Sequence, residues 1–237
     1  PNWDAANQQS VELAEKLGAS AAVTTATDVN GKFSVDAWAA ERGLFLSDMK
    51  AAKAVSAAIL EGPVPLKSDF PVRGTLPPGI VPGEAGPVGI CVSWRRQTPF
   101  ETTLLLVPPV IRLGIGCRRG TPAGAVGALV DETLAAHRVH PAAVKSVGSI
   151  DLKRDEPGLL DFCRERGWPV EFYTASQLEA AEGDFTPSDF VRRTTGVDNV
   201  CERAAALGGG RIVIQKTAGH GVTVAAAAER YEVRFDG

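Results

Sequence analysis

Leu113-Gly-Ile-Gly-Cys-Arg-Arg-Gly-Thr-Pro122 decides how the second half of this chain is read. Runs at 104–107 and 110–113, apolar except for Arg112, lead into it. A segment with Val126, Leu129, Val130 and Leu134 on one helical face leaves it. Strand, glycine-containing turn and helix form the unit of a layered α/β sheet. Thr121 and Pro122 are expected as N-cap and first helical residue. Loop N–H groups, the helix dipole and the guanidinium groups of Arg118 and Arg119 then converge on one spot, a place to hold an anion. Gly116, Cys117, Gly120 and Thr121 complete that candidate binding loop. A plain strand-to-helix turn would use the glycines but would not need the arginine pair. The spacing G-x-G-x-x-x-G is one residue longer than the dinucleotide fingerprint, and no acidic residue closes a following strand. There is also no G-K-[ST]. A dinucleotide-binding oxidoreductase is therefore disfavoured. Cys117 has no histidine near it in sequence and reads as a small residue in a tight turn rather than a nucleophile.

Working outward, strand patterns at 110–115, 144–150 and 170–173 alternate with helical patterns at 123–136, 157–166 and 176–181. Two capped helices follow, from Thr186 and from Asp198, and strands at 211–215 and 222–227 close the chain. The expectation is an α/β fold with a three-layer α/β/α C-terminal domain. Upstream lie helical patterns at 5–17, 33–42 and 48–60, a short strand at 21–25 and an Asn-Gly turn at 27–31. Seven of the sixteen prolines fall within 63–87, which reads as a linker or loop-rich module. Strands at 88–94 and 102–107 are expected to be joined by the polar turn Arg95-Arg-Gln-Thr-Pro99.

Two further clusters carry chemistry. Asn199 and Glu202 stand three apart on the helix from Asp198 and share a face, which suits a ligand or plain solvent. Gln215-Lys-Thr-Ala-Gly-His-Gly-Val-Thr223 is a turn between apolar strands. It carries Lys216 at a strand end, where a lysine near an anion site is often a ligand-binding group, and offers His220 as a general acid or base, although an ordinary solvated hairpin has the same spacing. His137 and His140 flank a helix end, where the dipole suits them. A metal site there would need a third ligand.

The bulk properties exclude several classes. A net charge of −3 over 237 residues gives no basic field for nucleic acid. The four cysteines form no C-x-x-C pair, so neither zinc nor an iron–sulfur cluster is expected, and they read as reduced thiols in a cytoplasmic protein. No signal peptide and no apolar run of membrane-spanning length is read.

Taken in order, Gly114-Ile-Gly-Cys-Arg-Arg-Gly-Thr121, Ser188-Asp-Phe-Val191, Gly196-Val-Asp-Asn-Val-Cys-Glu-Arg-Ala-Ala205 and Lys216-Thr with Gly221-Val-Thr-Val-Ala225 resemble the C-terminal domain of the CbiG family of cobalamin-biosynthesis proteins. The stretch from Thr24 through Asp28 to Trp38 resembles the end of that family's N-terminal domain. Residues 54–60 with Gly74-Thr-Leu-Pro77 resemble its middle region. The resemblance implies a remnant of the N-terminal domain at 1–47, a middle region at 48–108 and a CbiG/CobE-like domain at 109–237, with the first part of the N-terminal domain lacking. It implies hydrolysis of the δ-lactone of cobalt-precorrin-5A with loss of acetaldehyde. The implied substrate is an anionic tetrapyrrole that brings its own cobalt, so no further cofactor is expected. Neighbouring cobalamin-pathway methyltransferases are the implied partners. On this reading His220, Glu202 and Asp28 are the candidate bases, and Lys216 or a loop amide steadies the oxyanion. Arg118, Arg119, Ser188 and Asn199 join the loop as substrate ligands. The alternative is a tetrapyrrole carrier without hydrolysis, as implied by the CobE likeness of the C-terminal domain alone.

Overall fold

The computed structural model describes residues 33–187, 192–193 and 195–235. The helix expected at 5–17, the strand at 21–25 and Asp28 lie outside them, as does Ser188.

Two five-stranded sheets divide the described chain. The first lobe begins with α1 (Val35–Glu41), β1 (Phe45–Leu46) and α2 (Met49–Glu61). Asp48 caps α2 by accepting from the Lys50 amide, and Gly62 ends the helix. Four strands follow: β2 (Val64–Ser68), β4 (Ile80–Pro82), β5 (Val88–Val92) and β6 (Thr102–Val107), with a short β3 (Val72–Arg73) outside the sheet. The order is β1-β6-β5-β2-β4, parallel except for β1 against β6. Val55, Ile59, Leu66, Ile90, Leu104 and Leu106 form its core.

This arrangement corrects two expectations. The proline-rich stretch is not a linker, because β2 and β4 lie within it. Val64 and Leu66 are buried on one face of β2, and that burial outweighs the N–H missing at Pro65. Strands β5 and β6 do not form a hairpin. They are parallel, so residues 93–101 must cross back over the sheet. Gly89 makes room for that crossing, since a Cβ there would lie 2.5 Å from the Phe100 ring.

The second lobe alternates as expected: β7 (Ile111–Cys117), α3 (Ala123–Ala136), β8 (Val144–Ile150), α4 (Pro157–Arg166), β9 (Val170–Tyr173), α5 (Ala175–Glu179), α6 (Val200–Ala206), β10 (Arg211–Gly219) and β11 (Val222–Ala228). The sheet order is β10-β11-β7-β8-β9, with β7, β8 and β9 parallel, β11 antiparallel to β7 and β10 antiparallel to β11. Pleat alternation gives β7 two faces. Ile111, Leu113 and Ile115 pack with Val126, Leu129 and Val130 of α3 and with Leu159 and Phe162 of α4. Gly114 and Gly116 face the other way. A Cβ on Gly114 would come within 1.7 Å of the Cys201 carbonyl oxygen on α6, and one on Gly148 of β8 within 2.8 Å of the Ala204 oxygen. Helices on both faces make the three layers, and glycine on one face lets α6 lie directly on the strands.

The chain then returns to the first lobe. β12 (Val233–Arg234) pairs in parallel with β3, and Phe235 stacks on Trp38 at 4.7 Å. The Arg234 carbonyl accepts from Trp38 Nε1 and Arg42 Nε.

Candidate functional site

The carboxyl ends of β7, β8 and β9 point to one rim, the edge at which parallel α/β sheets bind ligands. At that rim the loop after Cys117 meets the hairpin between β10 and β11. The Arg118 amide donates to the Gly221 carbonyl at 2.9 Å, and Cys117 lies opposite Val222. His220 and Gly221 both have positive φ, at 54° and 76°, and link Gly219 to Val222 as a two-residue turn of the primed kind. His220 is thereby fixed at the tip. Its Nε2 lies 3.2 Å from Glu132 Oε1 on α3.

The loop departs from its expected form in three ways. Pro122, not Thr121, occupies the N-cap of α3. The Thr121 hydroxyl is turned away from the helix and donates to the Arg118 carbonyl at 2.8 Å. The amide that was expected to hold an external anion is already satisfied. Gly120, at φ 74°, donates its N–H at 2.6 Å to Oε1 of Glu156, which is 6% exposed. Lys153 completes that carboxylate at 3.3 Å. The helix beginning at Pro157 presses on the same spot, where a Cβ on Gly158 would fall 2.0 Å from the Thr121 oxygen. The anion in this turn is the protein's own, so the Gly120 amide is withdrawn as an oxyanion donor. Arg118 and Arg119 remain exposed, and neither forms an ion pair among the described residues. Cys117 is half-buried and its thiol is pushed up by desolvation, which keeps it protonated rather than nucleophilic.

A second cluster lies on the opposite face, against α6. Asn199 caps α6, accepting from the Glu202 amide at 2.9 Å, and its side-chain amide donates to the Thr186 carbonyl at 2.8 Å. At 1% exposure and with both ends engaged, it holds backbone together, which argues against the ligand role expected for it. Glu202 is equally buried. It accepts from the Thr186 amide, the Thr186 hydroxyl and the Lys216 amide at 2.7–3.0 Å. A carboxylate with three donors inside the fold serves as a clamp rather than a free base. Lys216 itself sits in a bulged part of β10, where the pairing slips between Ile214 and Thr217. Bulges re-aim side chains, and the half-buried lysine has no ion pair among the described residues.

The structure therefore joins Arg118, Arg119, Gly120 and Thr121 to His220 at the rim. It gathers Asn199, Glu202 and Lys216 on the α6 side and does not bring His220 and Glu202 together. Sequence reasoning missed Glu132, Glu156 and Thr186 as partners. An acid directly before the helix-opening Pro157 was a readable signal for Glu156. The His220–Glu132 pair, 88 residues apart, had none.

The family model described as the C-terminus of cobalamin synthesis protein G matches residues 111–227, the span from β7 to β11. Over 235 residues the chain is 34% identical to the cobalt-precorrin-5A hydrolase of Salmonella typhimurium (strain LT2), covering 92% of this chain and 67% of that protein. It is 28% identical over 256 residues to the cobalt-precorrin-5A hydrolase of Priestia megaterium, covering 96% of this chain and 66% of that protein. Protein CobE of a Sinorhizobium species is 38% identical over 119 residues, which is 48% of this chain and 77% of CobE. The chain thus spans about two thirds of the length of the two hydrolases. Among the described residues no helix is long and apolar enough to cross a membrane. The order of motifs, the two lobes and the extended identity give one conclusion: this chain belongs to the CbiG family of cobalamin-biosynthesis proteins.

Proposed function

We propose that this chain is a cobalt-precorrin-5A hydrolase, opening the substrate's δ-lactone and releasing acetaldehyde to leave cobalt-precorrin-5B. The observation that carries this reading is the identity with the Salmonella enzyme along nearly the whole chain. Support from the site comes from the junction of the arginine loop and the His220 hairpin at the sheet rim.

The substrate is a macrocycle edged with acetate and propionate groups. Arg118 and Arg119, exposed and unpaired among the described residues, suit that carboxylate edge, and guanidinium groups can grip carboxylates through paired hydrogen bonds. Water adds to the lactone carbonyl while a base takes its proton, and the positive charge of the rim arginines neutralises the oxyanion. The ring C–O bond then breaks, giving a carboxylate and a carbinol. Removal of the carbinol proton lets the adjacent C–C bond break. Its electron pair passes to the macrocycle and the two-carbon unit leaves as acetaldehyde, for a net consumption of one water. His220 is the base assigned here, because its Nε2 faces Glu132 and the carboxylate can fix the ring's tautomer. Cobalt belongs to the substrate throughout.

In this reading His220→Ala lowers acetaldehyde release by about 10²–10⁴-fold with corrinoid binding retained, whereas Arg118→Ala weakens corrinoid binding. Unchanged turnover in His220→Ala removes the base assignment. The CobE match favours one rival, a carrier that binds tetrapyrrole without cleaving it, because it is confined to half of this chain. A carrier shifts the corrinoid absorption spectrum and yields no acetaldehyde.

A further inference from the structure

The seam between the lobes holds a groove that the reaction above does not use. Lys67, Arg95, Arg96 and Arg138, with Gln97 and Thr98, line a cavity of about 320 Å³. Four cations share it, and among the described residues no carboxylate lies in the lining. None of the four forms an ion pair among the described residues. The neighbouring acid, Asp69, is taken up by Ser93 and by the side-chain amide of Gln97, at 2.5 and 2.6 Å.

The cations are positioned by both lobes. Lys67 pairs in register with Cys91, so it stands at the carboxyl end of β2 beside β5, the ligand-binding edge of that parallel sheet. Arg95 and Arg96 follow β5, and the Arg95 guanidinium stacks on the Trp94 ring at 4.0 Å. Arg138 comes from the other lobe, just past the end of α3. Backbone bonds stitch the two segments together: Arg96 donates to the Arg138 carbonyl at 2.7 Å, and His140 donates to the Trp94 carbonyl at 2.9 Å. Arg95 and Val139 form a bridge between them.

Arg138 supplies an independent sign. It has φ 57°, in the position after a helix end where the left-handed conformation suits glycine. The Val139 amide reaches back to the Leu134 carbonyl at 2.8 Å, the bond that goes with such a helix end. A residue with a Cβ pays for that conformation, and here the residue carries a guanidinium group into a groove already rich in cations. Gathering like charges is unfavourable until an anion joins them.

We propose that this groove is an anion site, distinct from the rim loop, for a small molecule bearing two or more carboxylate or phosphate groups. Cations delivered from both lobes suit a ligand with at least two charged ends. The 14 residues of α3 separate the groove from the loop by about 21 Å. The bound ligand clamps one lobe to the other.

Isothermal titration of the whole chain with tricarballylate and with pyrophosphate tests this. The expected result is saturable one-site binding that weakens as salt is raised, with the tighter of the two ligands identifying carboxylate or phosphate as the natural group. Arg96→Gln with Arg138→Gly lowers the affinity at least about tenfold, while Arg118→Ala with Arg119→Ala leaves it unchanged. Without ligand, Arg138→Gly melts no lower than the parent, because glycine relieves the backbone, and it gains less in Tm on adding the anion. Arg96→Gln alone also lowers the affinity, on an unaltered backbone and by less than the pair. The proposal is overturned if neither anion saturates below about 10 mM, if Arg96→Gln leaves the affinity unchanged, or if binding follows Arg118 and Arg119 instead.

Discussion

The rim loop at residues 117–121 and the seam groove around Arg96 use the same side-chain chemistry in opposite electrical states. Both bring arginines together at the carboxyl edge of a parallel sheet. At the rim the turn amide is already neutralised by Glu156, and Lys153 backs that carboxylate. At the seam no acid among the described residues enters the lining. The region with the recognisable glycine motif is thus internally satisfied apart from its arginines, whereas the region without a motif holds the larger unpaired charge. A motif marks where the backbone must be tight, which is a different property from where a ligand is missing.

The largest effect tests what the motif glycines do. Gly114→Ala drives a Cβ into the backbone of α6 and should lower stability by about 3 kcal/mol or more, or prevent folding. Gly124→Ala, in the open first turn of α3, should be neutral or stabilising by up to about 1 kcal/mol. Chemical denaturation compares them. Equal effects would remove the packing account of the motif.

Next is Glu156→Gln, which should lower stability by about 1–3 kcal/mol, since the Gly120 amide and Lys153 lose a charged partner. It should also let phosphate bind at the loop, seen as a chemical-shift change at the Gly120 amide. A loop that bound phosphate equally well with Glu156 in place would dissolve the contrast between the two regions.

The rim and the seam also differ in how far the sequence exposed them. Strand and helix alternation after residue 109 was legible because apolar periodicity and capping residues agree there. The proline-rich stretch misled because burial of Val64 and Leu66 overrides a local preference that Pro65 and its neighbours express strongly. The crossover from β5 to β6 was hidden because a polar turn looks the same whether the strands run parallel or antiparallel. Within the site, Arg118, Arg119 and His220 were readable as residue types, and the hydrogen bonds joining them to one rim were not. Glu202 and Asn199 looked like an exposed pair on a helix. The partner that buries them, Thr186, is brought up by the fold rather than by spacing.

The smallest effect belongs to the seam. Burial and the nearby Arg96 hold His140 below its ordinary value of 6.5, and its Nδ1 accepts from the Ala142 amide. The neutral ring is the folded form, so stability is full above pH 6.5 and declines as pH falls through the lowered value, where the unfolded chain takes up the proton first. His140→Gln should flatten that decline in denaturation midpoints measured from pH 7.5 to about 5. An unchanged slope would take His140 out of the account of the seam.

If the rim loop and its hairpin hold the macrocycle, removing both loop arginines must release it. The direct measurement is cobalt-precorrin-5A turnover, followed as acetaldehyde, together with corrinoid binding in the Arg118→Ala, Arg119→Ala double variant. The expected result is corrinoid affinity reduced at least about tenfold, acetaldehyde release falling with it, and an unchanged melting temperature. Parent-like affinity and turnover in that variant would contradict it.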